Sequence, residues 1–219
     1  MTFSYFLVTI LRMSEAEPGK QRDRKRTEKR LVEAAIDIIR REGFSALGIN
    51  AIADRAGVSK VLIYRYFGNL SGLYRAVADE LDPLQSRAAA QALEGIEPGT
   101  PLAEVVRRVI LDLHAAVKED DLTKQLLIWE LSYHNAITEA FSESREKTGL
   151  ELTAQYREIL EPQDQERELD MHALLAVITG AVFYLTLRSD SVTEFNGVDI
   201  GSDAGWQRLA DAVAGLLKP

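Results

Sequence analysis

The chain has 219 residues, no cysteine, and 26 Lys/Arg against 34 Asp/Glu, a formal net charge of −8. This length suits one large domain, or a small domain joined to a larger one, and can bury a core without covalent staples. Lack of cysteine excludes disulfides, thiol catalysis and cysteine-ligated zinc, and fits a reducing cytoplasm.

The charge is unevenly spread. Ser14 to Phe67 holds 12 Lys/Arg against 8 Asp/Glu, whereas Gly68 to Pro219 holds 13 against 26. A basic front on an acidic remainder is the split expected when only the front meets phosphates.

Met1 to Leu11 is apolar but too short to span a bilayer, and it lacks the flanks of a secretory signal. Met13 opens an ordinary polar stretch and is the expected natural start, with residues 1–24 as a flexible arm. Lys20 to Arg30 carries seven cations. It reads either as a solubilising tail or as a basic arm for phosphate or minor groove. Thr27 to Glu42 has a helical pattern, with Leu31, Ala34, Ala35, Ile38 and Ile39 on one face. Gly43 stops it and Phe44 anchors the following turn.

Ile49, Ile52, Ala53 and Ala56 recur at helical spacing, and Gly57 ends that helix. Ser59 can cap a second helix that turns Val58, Ile63 and Phe67 inward and Lys60, Leu62, Tyr64 and Tyr66 outward. Two short helices across a glycine turn make a helix-turn-helix, whose second member enters the DNA major groove. Lys60, Tyr64, Arg65 and Tyr66 supply the cations and phenols that bond phosphate oxygens. With the preceding helix, these form a three-helix DNA-binding head, residues 25–84.

Thr27 to Leu81 resembles the amino-terminal domain of tetracycline-repressor (TetR) family transcription regulators. The resemblance is carried by Ala34-Ala35, Gly43-Phe44, Ile52-Ala53, Ala56-Gly57-Val58-Ser59, Tyr64-Arg65-Tyr66-Phe67 and Leu73. It implies that Ser59 and Lys60 meet phosphate or base edges and that Tyr64 and Tyr66 bond phosphate. Val61 and Leu62 stand where the family often has small or hydroxyl residues; here they can contact only apolar groups such as a thymine methyl. Three positions depart from the pattern: Gly48 for a threonine, Asn50 for an arginine, and Leu70 for a lysine. Each departure removes a phosphate contact, so modest affinity is expected.

Leu70 to Leu84 continues as a helix, and the Gly/Pro break at Glu94–Thr100 marks the start of the body, residues 85–219. Three amphipathic helices follow, from Pro101, over Asp120 to Tyr133, and from Ile137 to about Leu160. By resemblance this region holds a small-molecule pocket, for which Trp129, Tyr133, His134, Phe141 and Tyr156 are the candidate walls. Ala173 to Leu187 is apolar nearly all round but too short for a membrane span, so burial on several sides is expected. Gly201-Ser202-Asp203 caps a last helix. By resemblance, the last two helices pair with a second copy as a four-helix bundle, matching a palindromic operator.

The expectation is an all-α chain: a helix-turn-helix head and a larger helical body for ligand binding and dimerisation. The implied function is a cytoplasmic, dimeric transcription repressor released from duplex DNA by a small molecule, with no cofactor, metal or enzymatic activity. A metal-dependent helical-bundle enzyme is the competing class, from Glu130/His134 and Glu168/His172. Both pairs show Glu-x-x-x-His, one residue longer than the Glu-x-x-His of carboxylate-bridged bundles. An architectural DNA-binding protein without ligand is the third reading, against which the long aromatic-bearing body counts.

Overall fold

The apolar positions at helical spacing in the first third of the chain become three helices closed on one small core. The computed structural model describes residues 18–81, 94, 96–160 and 169–218. The supposed start at Met13 and the residues up to 17 lie outside the described residues, as do Leu84 and Glu168. The chain divides between Glu80 and Leu81 into two units.

In the first unit, α1 (Pro18–Glu42) presents Leu31, Ala35, Ile38 and Ile39 to the core. A short 3-10 turn (Phe44–Ala46) buries Phe44. Then come α2 (Ile49–Ala56), α3 (Val61–Phe67) and α4 (Leu70–Leu81). Ile52, Ile63, Leu73 and Val77 are fully enclosed among them. The helix begins well before Thr27. Residues 18–24, expected in a flexible arm, form the first turns of α1. A run of cations at a helix's solvated end costs little, and Arg24–Glu28, Arg26–Asp23 and Lys29–Glu33 pairs along it offset the repulsion.

Gly57 ends α2 with φ 63°, the left-handed conformation that glycine adopts without strain. Gly72, near the start of α4, is needed for space instead. A Cβ there would lie 2.1 Å from the Phe67 carbonyl oxygen. Gly72→Ala is therefore expected to lower unfolding stability by about 1–3 kcal/mol through overpacking. Urea denaturation followed by circular dichroism checks this; an unchanged midpoint would show that the α3–α4 corner has slack.

In the second unit, α5 (Leu102–Glu119), α6 (Asp121–Ser132), α7 (Ala136–Ile159), α8 (Met171–Ser189) and α9 (Asp203–Leu217) pack together. Each start has a sequence reason. Asp120 and Asn135 cap α6 and α7 with side-chain oxygens, and Ser202 caps α9. The core joins Val105, Val106 and Ile110 of α5 to Tyr156, Ile178, Val182, Trp206 and Ala210.

Two features of this unit differ from expectation. A two-stranded antiparallel hairpin, β1 (Glu194–Phe195) and β2 (Val198–Asp199), precedes α9. Its turn residues Asn196 and Gly197 both have positive φ, the Asn-Gly pattern of tight hairpins. The apolar helix α8 has 19 residues, and it is the one helix among the described residues long and apolar enough to cross a membrane. It is buried on one side only. Met171, Ile178, Val182 and Thr186 face inward, while Val177 is 72% and Tyr184 54% exposed.

Candidate nucleic-acid interface and ligand cavity

The helix-turn-helix is built from the two ends of its turn. Gly57 and Val58 donate backbone hydrogen bonds back into α2, closing it. Ser59 opens the next helix: its carbonyl accepts from Leu62 N at 2.9 Å and its hydroxyl from Val61 N at 3.4 Å. Ile63 is then the pivot, wholly buried, and the remaining positions of α3 are placed by their angle from it. Lys60, Val61, Tyr64 and Arg65 are exposed, with Val61 at 63% and Tyr64 at 53%. Leu62 and Tyr66, expected outward, are half-buried, as are Val58 and Phe67, expected inward. A seven-residue helix seated on one residue has broad flanks, so Leu62, Tyr66 and Phe67 sit at its edges, while Val58 belongs to the turn before it.

Neighbouring cations separate into occupied and free. Arg55 pairs with both Asp37 and Glu42, and Arg41 bonds Asp37 at 2.6 Å. Arg41 and then Arg55 hold the Asp37 carboxyl below its usual range. Arg30 donates to the Ala56 carbonyl at 2.5 Å, tying α1 to the end of α2. Arg24 lies over the Tyr66 ring, 5.4 Å from its centroid, and its guanidinium reaches the Tyr66 carbonyl at 3.5 Å. Lys60 Nζ lies 3.5 Å from Asn50 Oδ1, bringing together two of the expected contact residues from adjacent helices. Asn50, Ser59, Lys60, Val61, Tyr64 and Arg65 of the candidate set are all exposed. Arg24 was not among the expected residues; only its place in a cation-rich run marked it.

The second unit contains a cavity of about 630 Å³ walled by α5, α7 and α8, within the size range of small-molecule sites. Leu113, Leu152, Leu175 and Phe183 form apolar wall, and Ser142, Arg145, Thr153, Tyr156 and Thr179 supply polar groups. Of the five expected wall residues, only Tyr156 lines it. Phe141 is packed in the interior at 3% exposure, and Trp129 stacks loosely with Tyr133, which is 60% exposed. His134 is exposed and 3.3 Å from Glu139. The miss has a physical reason: α6 does not reach the cavity, so the aromatics near its end face elsewhere.

Burial raises the Tyr156 phenol to about 12, helped by the nearby charge of Asp112. Arg145 forms a two-pronged ion pair with Glu130, one arm at 2.9 Å. One of the two pairs behind the metal-enzyme reading does not hold, and Glu168 of the other lies outside the described residues. α6 ends at Ser132, so Glu130 and His134 do not share a helix face, and Glu130 is committed to Arg145. Among the described residues no three His, Cys, Asp or Glu side chains cluster as metal ligands.

Residues 31–77 match the family described as bacterial regulatory proteins, tetR family. The transcriptional regulatory protein RaaS of Mycobacterium tuberculosis is 40% identical over 76 residues, 35% of each chain. The transcriptional repressor KstR of Mycolicibacterium smegmatis is 31% identical over 96 residues, 43% of this chain and 45% of its own length. The chain therefore matches less than half the length of these curated relatives. The structure of the FadR repressor of Thermus thermophilus in complex with lauroyl-CoA extends the likeness in fold. It is 20% identical, with a TM-score of 0.55, over 88% of this chain and 96% of that one. The head, residues 31–77, therefore belongs with the tetR family of bacterial regulatory proteins, and the chain as a whole shares the helical fold of a solved regulator of that name.

Proposed function

We propose that the chain is a cytoplasmic, homodimeric transcription repressor that binds a palindromic duplex operator and leaves it when a small molecule fills the body cavity. The observation that carries this reading is the seating of α3. Ile63 is buried while Lys60, Val61, Tyr64 and Arg65 are exposed. A helix presented this way offers cations and a phenol to phosphates and one apolar group to base edges. Val177, Gly180, Ala181 and Tyr184 follow helical spacing along the exposed side of α8, and Leu216 of α9 is 83% exposed. An apolar stripe of this kind favours pairing with a second copy. The cavity gives an effector a place to bind, and a ligand can release DNA only by preferring the state that fits the operator less well. The protein acts by binding rather than by catalysis.

Gel-shift titration with DNA from upstream of the chain's own gene tests the proposal. Lys60→Ala and Tyr64→Ala are each expected to weaken binding about tenfold, and Lys60→Ala to flatten the salt slope by about one. Unchanged affinity in both variants would remove α3 as the DNA-contacting helix.

A further inference from the structure

We infer that the cavity between α5, α7 and α8 takes an uncharged, largely apolar molecule bearing a hydrogen-bond acceptor, and turns carboxylates away. The inference rests on the ligand-sensing half of the reading above and names the class of molecule sensed.

The charges on the cavity wall decide it. Three wall residues have acidic or basic side chains: Arg145, Glu146 and His172. Glu146 and His172 are exposed. Arg145 is enclosed, with a side chain 18% exposed, and its partner Glu130 is 13% exposed. The pair is two-pronged, so the positive charge is already met within the protein. The Arg145 guanidinium also lies 5.9 Å from the Phe183 ring centroid, which fixes it from α8 as well as from α6.

A carboxylate beside Arg145 would meet a pair whose charge is already balanced and would face Glu130 as a like charge, so it gains little there. The surroundings oppose an anion further. Glu146 has no ion pair among the described residues, and the Asp112 charge is close enough to act on Tyr156. What the wall offers a neutral molecule is different. The Tyr156 hydroxyl stays protonated, and Thr153 and Thr179 add neutral hydroxyls beside the leucine wall.

Three probes separate the possibilities: 2-naphthalenemethanol, 2-naphthoate and 2-naphthylmethylammonium, which share a ring system and differ in charge. Isothermal titration of the full chain is expected to show the alcohol binding about tenfold or more tighter than either ion. Glu130→Gln leaves the Arg145 charge unmet, and naphthoate affinity should then rise by about tenfold while the alcohol changes little. If Glu130→Gln does not fold, the double variant Glu130→Met, Arg145→Met removes the pair together, and it should still reject naphthoate. Naphthoate or the ammonium binding wild type as tightly as the alcohol would overturn the inference and leave ligand sensing in place. Naphthoate binding to the double variant would overturn it in the same way. Binding of none of the three would overturn the inference and the ligand-sensing reading together, leaving DNA binding to be judged by its own titration.

Discussion

Trp206→Ala is expected to destabilise the second unit by about 3–5 kcal/mol, the usual range for emptying a large aromatic site in a core. Trp206 is 2% exposed and stands where α5, α8 and α9 meet. Its ring stacks on His114 of α5 with centroids 3.7 Å apart, and His114 in turn lies 3.0 Å from the Thr186 hydroxyl of α8. The indole N–H donates to the Ile200 carbonyl at 2.9 Å, tying the end of the hairpin to the first turn of α9. Truncation would remove the stack, open a cavity and leave that carbonyl without its donor. The neighbouring Gly205 limits collapse, because a Cβ there would lie 1.7 Å from the Asp199 carbonyl oxygen. The hairpin and α9 already touch through backbone, so the wall cannot move inward to fill the space. Urea denaturation monitored by far-ultraviolet circular dichroism reads the loss. A decrease below about 1 kcal/mol would mean that the helices close over the vacancy.

The head was legible in the sequence because its rules are local. Gly57, Ser59 and the buried spacing of Ile52, Ala53 and Ile63 specify two short helices and a turn without reference to distant residues. The same holds for the Ser202 cap, and Asp120 and Asn135, which the sequence reading does not single out as caps, obey the same local rule: their side-chain oxygens bond amides two or three residues ahead. The Asn196-Gly197 hairpin was equally local, yet two-residue strands give no alternation to draw notice.

The cavity was much less legible. Its walls come from three helices far apart in sequence, and helical periodicity says which face is apolar without saying what that face meets. Trp129 and Tyr133 drew attention by size and polar tips, but large aromatics fill any core or edge. The residues that shape the site chemically lie 15 positions apart: no local pattern marks Arg145, and Glu130 reads as half of a metal-ligand pair with His134 rather than as its partner. α8 is apolar nearly all round, which implies cover on several sides, and in the single copy one side faces solvent. A face intended for a second copy has the same composition as a face intended for the core.

His114 should make the second unit acid-sensitive, and the sign follows from its surroundings. The ring is 6% exposed, Nδ1 meets the Thr186 hydroxyl, and Nε2 is enclosed without a partner. Protonation would put a charge and a further N–H into that site with nothing to accept it. Burial, then repulsion from Lys118, lowers the pKa from 6.5 to about 4, with Asp203 acting weakly the other way. In the unfolded chain the same ring titrates near its ordinary value, so between pH 6.5 and 4 the unfolded state holds more protons and stability is lost as the pH drops. Going from pH 7 to pH 4.5, the loss should be about 2 kcal/mol. The Asp112 carboxyl, raised by burial, contributes with the opposite sign, since the folded state takes that proton first. The two are separated by comparison with His114→Phe, which keeps a ring against Trp206 and cannot titrate. Urea denaturation at both pH values should show wild type losing about 2 kcal/mol more than the variant on acidification. Equal losses would mean that the His114 ring accepts its proton in the folded state as readily as in water.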